Sequence, residues 1–144
     1  MSGAFFVDAF YDKGAETINT DYINDGVYGA FNCIMFDHQA VAPHVLSMNG
    51  SFHVDGTEAM SASSVWGPTC DSLDQVCKSV MLPSGLQVGD WLGWHEMGAY
   101  TMSAASQFNG FELSDVVYTT SKGGEEAREV LRRFAGEGHG QGEM

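Results

Sequence analysis

Basic residues are what this chain has least of: six Lys and Arg stand against nineteen Asp and Glu, for a net charge of −13. Such a field repels phosphate backbones and anionic lipid and favours cationic ligands, so nucleic acid is excluded as an expected partner. Cysteine is scarce too. Cys33, Cys70 and Cys77 are odd in number and form no C-x-x-C pair, which fits a reducing compartment rather than a disulfide framework and points to the cytoplasm. No apolar run approaches the ~20 residues of a membrane span, and Met1 to Asp8 carries no basic stretch of the kind that opens a signal peptide. No membrane association is expected. His38, His44, His53, His95 and His139 stand at no metal-ligand spacing, so no metal site is expected. Nucleotide binding has no support either, for want of a G-x-G-x-x-G or a P-loop.

What remains is an ordinary globular composition: 144 residues, 44% hydrophobic and 12% aromatic, enough for one domain with its own core. Turn residues recur between short segments rich in aromatic and β-branched side chains, the pattern of a mainly β barrel or sandwich. The clearest predicted strand runs from Val27 to Phe36 after an Asn24-Asp25-Gly26 turn, with apolar residues on both faces. Further strands are expected at Phe5 to Tyr11, Ala62 to Trp66, Trp91 to Trp94, Ala99 to Ala105 and Val116 to Thr120. The segment His44 to Met60, with Asn49-Gly50 and Asp55-Gly56, reads as a loop or loose hairpin. Ala127, Val130, Leu131 and Phe134 fall at helical spacing and predict one C-terminal amphipathic helix. The β domain is therefore expected over 1–134, with a disordered, Gly-rich tail over 135–144.

The chemistry concentrates in Trp66-Gly67-Pro68-Thr69-Cys70-Asp71-Ser72-Leu73-Asp74. Gly67 and Pro68 end any preceding strand, so Cys70 should sit at the tip of a constrained loop, beside one carboxylate and three residues before another. If a helical turn follows, Asp71 and Asp74 share a face. The same run also describes an inert buried Cys followed by a solvated acidic turn. Met97-Gly98-Ala99-Tyr100-Thr101 is a second dense motif; its phenol is either a donor to a phosphate or carboxylate oxygen or a core tyrosine. Asp37, in Phe36-Asp37-His38, is a third candidate or else a solvated turn former. A Cys-His hydrolase, with His38 or His95 approaching Cys70, has no local signature.

Taken in order, these motifs resemble the eukaryotic ornithine decarboxylases, most of all fungal ones, of the group that includes diaminopimelate and arginine decarboxylases. The matching residues are Asn24 to Cys33, Phe36 to His38, Val65 to Asp74, Val88-Gly89-Asp90-Trp91, Met97 to Thr101 and Ala104 to Phe111, within Tyr22 to Tyr118. The resemblance implies a carboxy-terminal β domain of the alanine racemase/ornithine decarboxylase type. In that family a second domain, an (α/β)8 barrel, holds pyridoxal phosphate and supplies the lysine that bonds it. That barrel is absent from this sequence, and none of Lys13, Lys78 or Lys122 has a matching context.

By resemblance, Cys70 is the acid that protonates the α-carbon after carbon dioxide leaves. A thiol suits this task, being mostly protonated at neutral pH yet able to give up its proton. Asp37 and Asp71 match the carboxylates that hold the distal ammonium of L-ornithine. Phe36 takes the neighbouring substrate position, where many relatives carry Tyr. A charge pair at ~4 Å is worth about 4 kcal/mol at an effective dielectric of ~20, before desolvation, so two carboxylates separate ornithine from a neutral analogue. The Cys-Asp pair also favours ornithine over diaminopimelate, whose decarboxylases carry Glu after the equivalent Cys. Tyr100 matches a residue that contacts the cofactor phosphate. Tyr28 and Phe108 match aromatics that stack at the homodimer interface. Asp74 matches a carboxylate that pairs with a barrel lysine of the other subunit, and without a barrel it is expected to lack its partner.

Three functional expectations follow from the resemblance and stay open at this level. The first is an ornithine decarboxylase fragment acting in putrescine and polyamine synthesis, inactive without a barrel. The second is an antizyme-inhibitor-like regulator, with antizyme as its partner, or another basic-amino-acid decarboxylase. The third is a free-standing β module.

Overall fold

The structure is a computed structural model that describes residues 5–12, 18–52, 56–98, 100–117, 124–125, 128–129 and 132. The chain divides into two compact units, Met1–Ser114 and Asp115–Met144. In the second, residues 125, 128, 129 and 132 are helical, within and just before the span expected to form an amphipathic helix. The apolar positions Ala127, Val130, Leu131 and Phe134, and the whole 135–144 tail, lie outside the described residues.

The first unit is built from β1 (Phe5–Asp12), β2 (Asn19–Ile23), α1 (Cys33–Phe36), β3 (His44–Ser47), β4 (Met60–Trp66), β5 (Gln75–Pro83) and β6 (Trp91–Trp94), followed by a 3-10 turn at Phe108–Gly110. The strands form one sheet in the order β3-β6-β1-β2-β4-β5. β1 is the hinge of this arrangement. Its first half pairs antiparallel with β6, Phe5 opposite Trp94, and its second half with β2, Ala9 opposite Ile23. One strand thus passes from one sheet segment to the next, which is how mainly β domains turn a corner. β2 and β4 run parallel, and a parallel pair requires a long crossover. The crossover here is 24–59, and it carries α1 and β3.

That crossover overturns the clearest strand expected from the sequence. Residues 27–36 are not extended: successive turns over 27–32 run into α1, with Phe31 N donating to Gly26 O at 3.1 Å and Phe36 N to Asn32 O at 3.0 Å. The reason is a buried carboxylate. Asp25 Oδ1 accepts hydrogen bonds from Gly26 N at 2.7 Å and Ala30 N at 3.0 Å, folding the backbone back on itself, and such local side-chain acceptors compete directly with a strand ladder. The all-round apolar character of the segment reflects burial of Val27, Ala30 and Phe31, which a coil of turns satisfies as well as a two-faced strand.

Other expectations divide. Trp91–Trp94 is a strand as expected, Ala62 to Trp66 lies within β4, and Phe5 to Tyr11 lies within β1. Residues 100–104 form turns rather than a strand, and 116–117 have no regular structure. β2 and β5 were not legible, and the supposed loop His44 to Met60 contains β3. The core lies between the sheet and the crossover: Ile23, Phe31, Val65, Leu92 and Trp94 are essentially inaccessible, and Phe31 meets Trp94 edge to face at 4.9 Å, a favoured aromatic geometry.

Candidate functional site

β4 and β5 are joined by the turn that carries the Cys70 motif. Gly67 N donates to Asp74 O at 2.8 Å, which extends the ladder and pinches off the loop between them. Inside the pinch sits the Asp74 side chain, fully buried. Its Oδ1 accepts from Val27 N at 2.9 Å, and its Oδ2 accepts from Thr69 N at 3.0 Å and from the Thr69 hydroxyl at 2.6 Å. The carboxylate comes so close to the backbone that a Cβ on Gly26 or Gly67 would lie 2.1 or 2.2 Å from Oδ1, so both positions require the missing side chain. Asp74 is therefore not a carboxylate without a partner. It is an internal anchor joining the Cys70 loop to a crossover segment 47 residues away. Asp71 and Asp74 do not share a face, because the turn buries one and leaves the other accessible.

Cys70, at the loop tip, is exposed, whereas Cys33 and Cys77 are buried. Burial pushes both of those thiols up, Cys77 to about 11, and Cys77 Sγ donates to Val41 O at 3.3 Å. They are inert core thiols; the accessible one is Cys70. Next to it, Asp71 Oδ2 accepts a hydrogen bond from the Tyr28 hydroxyl and Oδ1 accepts from Leu73 N at 3.0 Å. The Tyr28 hydrogen bond, seconded by that of Leu73, holds the Asp71 carboxyl below the usual range. The same bond pushes the Tyr28 phenol up to about 12, so across neutral pH the pair is a phenol donating to a carboxylate. The Tyr28 ring stacks on Phe108 at 4.0 Å and 21°. These two aromatics, expected to stack at a dimer interface, stack on each other within a single chain. Ser106 clamps them by donating from its N to Tyr28 O at 2.8 Å. The adjacent Asn109 donates from Nδ2 to Cys70 Sγ at 3.6 Å.

The remaining candidates stand apart from this group. Phe36 is 63% exposed at the end of α1. Asp37 caps that helical turn, its N donating to Cys33 O at 3.0 Å. A carboxylate at the carbonyl end of a helical turn is electrostatically uncompensated, which suits it to a cation brought from elsewhere. Tyr100 is 78% exposed, with a positive φ of 64°. A bulky residue in the left-handed region is an outlier that persists only when its surroundings hold it. The neighbouring Thr101 provides the hold, since its carbonyl accepts from the buried Asn32 side chain and its hydroxyl donates to Gly98 O at 3.2 Å. Among the described residues, no hydrogen bond, ion pair or ring contact joins the side chains of Phe36, Asp37 or Tyr100 to Cys70 or Asp71.

Several contributors were missed from sequence. Thr69 acts within its own loop, on Asp74 five residues on. Ser106 reaches Tyr28 across 78 residues and Asn32 reaches Thr101 across 69, for which no local signal exists. Asn109 had one, the Asn109-Gly110 turn dipeptide, but nothing local aims its amide at a thiol.

Comparison with known proteins adds three findings. Residues 3–98 match a family model described as pyridoxal-dependent decarboxylase, C-terminal sheet domain. Among curated proteins, the chain is 47% identical over 112 residues to antizyme inhibitor 2 of Xenopus laevis, covering 78% of this chain and 23% of that protein. It is 45% identical over 117 residues to ornithine decarboxylase of Saccharomyces cerevisiae, covering 70% of this chain and 25% of that protein. Among solved structures it is similar to a lysine/ornithine decarboxylase from Vibrio vulnificus complexed with cadaverine, with a TM-score of 0.66 and 31% identity over 77% of this chain and 28% of that one. The chain spans about a quarter of the length of the curated relatives it matches. The match from residue 3 takes in β1, whereas the motifs alone had reached back only to Tyr22.

Proposed function

This chain belongs to the pyridoxal-dependent decarboxylase family as its C-terminal sheet domain, and we propose that it supplies the substrate-side part of an ornithine decarboxylase active site in putrescine and polyamine synthesis. The observation that carries this reading is the loop tip: an exposed thiol next to a carboxylate held in its charged form by a phenol. Cys70 gives its proton to the α-carbon once carbon dioxide has left. Asp71 and Asp37 hold the distal ammonium, with Phe36 lining its path. That, among the described residues, no hydrogen bond, ion pair or ring contact joins the Asp37 and Tyr100 side chains to Cys70 or Asp71 supports a site completed by a second copy, one protomer offering Cys70 and Asp71 and its partner Phe36, Asp37 and Tyr100, in a cytoplasmic homodimer.

The exposed Tyr100 hydroxyl, on a backbone held by Asn32 and Thr101, fits a donor to the phosphate of pyridoxal phosphate. When bound, that cofactor supplies the electron sink for decarboxylation. No lysine of this chain is proposed to bond it.

The longest natural polypeptide that carries this sequence is expected to release carbon dioxide from L-ornithine in preference to L-lysine and L-arginine, and to lose that release in Cys70→Ala. Preference for another amino acid, or full activity in the variant, overturns the reading. The 47% identity to antizyme inhibitor 2 favours a second reading, a regulator that binds antizyme without catalysis. That reading predicts antizyme capture by the same polypeptide with no carbon dioxide release, and the intact Cys70, Asp37, Asp71 and Tyr100 set argues against it.

A further inference from the structure

Asn109 has no assigned role, yet it is placed with unusual definition for an exposed residue. Its φ of 57° lies in the left-handed region, which Asn tolerates better than most residues. The turn around it is closed by Gly110 N donating to Gln107 O at 2.9 Å. On one side Phe108 is stacked on Tyr28, and Tyr28 in turn is bonded to Asp71. On the other side the Asn109 amide reaches Cys70 Sγ at 3.6 Å. Cys70, Asp71, Tyr28, Phe108 and Asn109 therefore form a closed ring of contacts drawn from three separate stretches of one chain.

We propose that Asn109 is a positioning residue for Cys70, donating an N–H to the sulfur so that the S–H bond is directed away from the amide and the thiolate is met by a donor as it forms. This rests on the reading of Cys70 as the acid. In the proton transfer the S–H bond breaks, a C–H bond forms at the α-carbon, and the electron pair of the broken bond stays on sulfur. A donor to sulfur favours the charged product of that step. Asp71 lies next to Cys70 in the chain, and its negative charge opposes a thiolate there; the Asn109 amide, donating to the sulfur, offsets that repulsion. Because Asn109 and Cys70 come from the same chain, the device is complete in each protomer before any partner docks.

The test needs neither substrate nor cofactor. Alkylation of Cys70 by iodoacetamide, followed site by site with mass spectrometry across the neutral to alkaline range, reads the thiolate directly. Asn109→Gly keeps the left-handed backbone accessible while removing the amide; Asn109→Asp keeps the shape and replaces the donor with a negative charge. The alkylation profile is expected to move to higher pH by about half a unit in the Gly variant and by about one unit in the Asp variant. Superimposable profiles in both variants overturn the proposal, since a merely structural Asn109 moves neither. A shifted profile in a polypeptide that releases no carbon dioxide from ornithine sustains the Asn109 contact and counts against the decarboxylase reading alone.

Discussion

The turn from Gly67 to Asp74 and the exposed residues Phe36, Asp37 and Tyr100 carry the candidate residues of the proposed site, yet they are built on opposite principles. In the turn, almost every polar group is engaged within the chain: Asp74 by three donors, Asp71 by Tyr28 and Leu73, and Cys70 by Asn109. Of the other three, Phe36 and Tyr100 are largely exposed and Asp37 stands at the end of one short helical turn. The contrast is between groups whose partners lie within the chain and projecting groups that, on the function proposed above, are expected to find theirs on assembly. Groups of the first kind are expected to govern stability and groups of the second kind function alone.

The sharpest way to break that comparison is Asp74→Ala. Removing the carboxylate leaves Val27 N, Thr69 N and the Thr69 hydroxyl without their acceptor, a loss expected to cost roughly 3–5 kcal/mol, which is much of the stability of a domain this size. Urea denaturation measures it, and a loss below about 1 kcal/mol would show that the anchor is incidental.

Asp21 sharpens the contrast from the opposite direction. It is as buried as Asp74, but among the described residues its Oδ2 has no hydrogen-bond partner. Burial pushes its carboxyl up, and a hydrogen bond from Ser63 pulls it only partly back. The sign is unambiguous: a carboxyl whose folded value lies above its unfolded value contributes stability at low pH that is lost as pH rises through the folded value. Asp21→Asn is therefore expected to raise stability at neutral pH by roughly 1 kcal/mol and to give no gain in acid. Thermal melts at two pH values decide the matter, and an equal effect at both would remove the titration from the account.

The smallest effect belongs to the exposed residues. Asp37→Asn and Tyr100→Phe are expected to shift folding stability by no more than about 0.5 kcal/mol, while in the full polypeptide the first raises the KM for ornithine and the second weakens cofactor retention. A large stability loss in either would erase the distinction between the two regions.

How much of this was legible beforehand depended on range. The strand at Trp91–Trp94 and the part of β4 before Trp66 carry local signals, alternation and flanking turn residues, and were read correctly. Val27 to Phe36 was misread because its pattern reported burial while its conformation is set by Asp25, an acceptor that rewards turns. β5, Gln75–Pro83, was missed because its faces are mixed: Val76 and Cys77 are both buried in succession, and Lys78 and Ser79 are both exposed, a result of register irregularities against β4. Irregular pairing of this kind erases the period-two pattern from which strands are recognised.

The sequence by itself determined the chemical vocabulary of this protein and its order along the chain: an acidic surface, one thiol in a Gly-Pro turn, carboxylates beside it and after Phe36, a tyrosine after small residues, and the family these imply. Local spacing is enough for that, because motifs are short. Only the tertiary structure decided which of two carboxylates three residues apart is an anchor and which stays accessible, which of three thiols is exposed, and which amide faces it. Those outcomes depend on burial and on donors supplied from segments tens of residues away, and no local pattern records where a chain will meet itself.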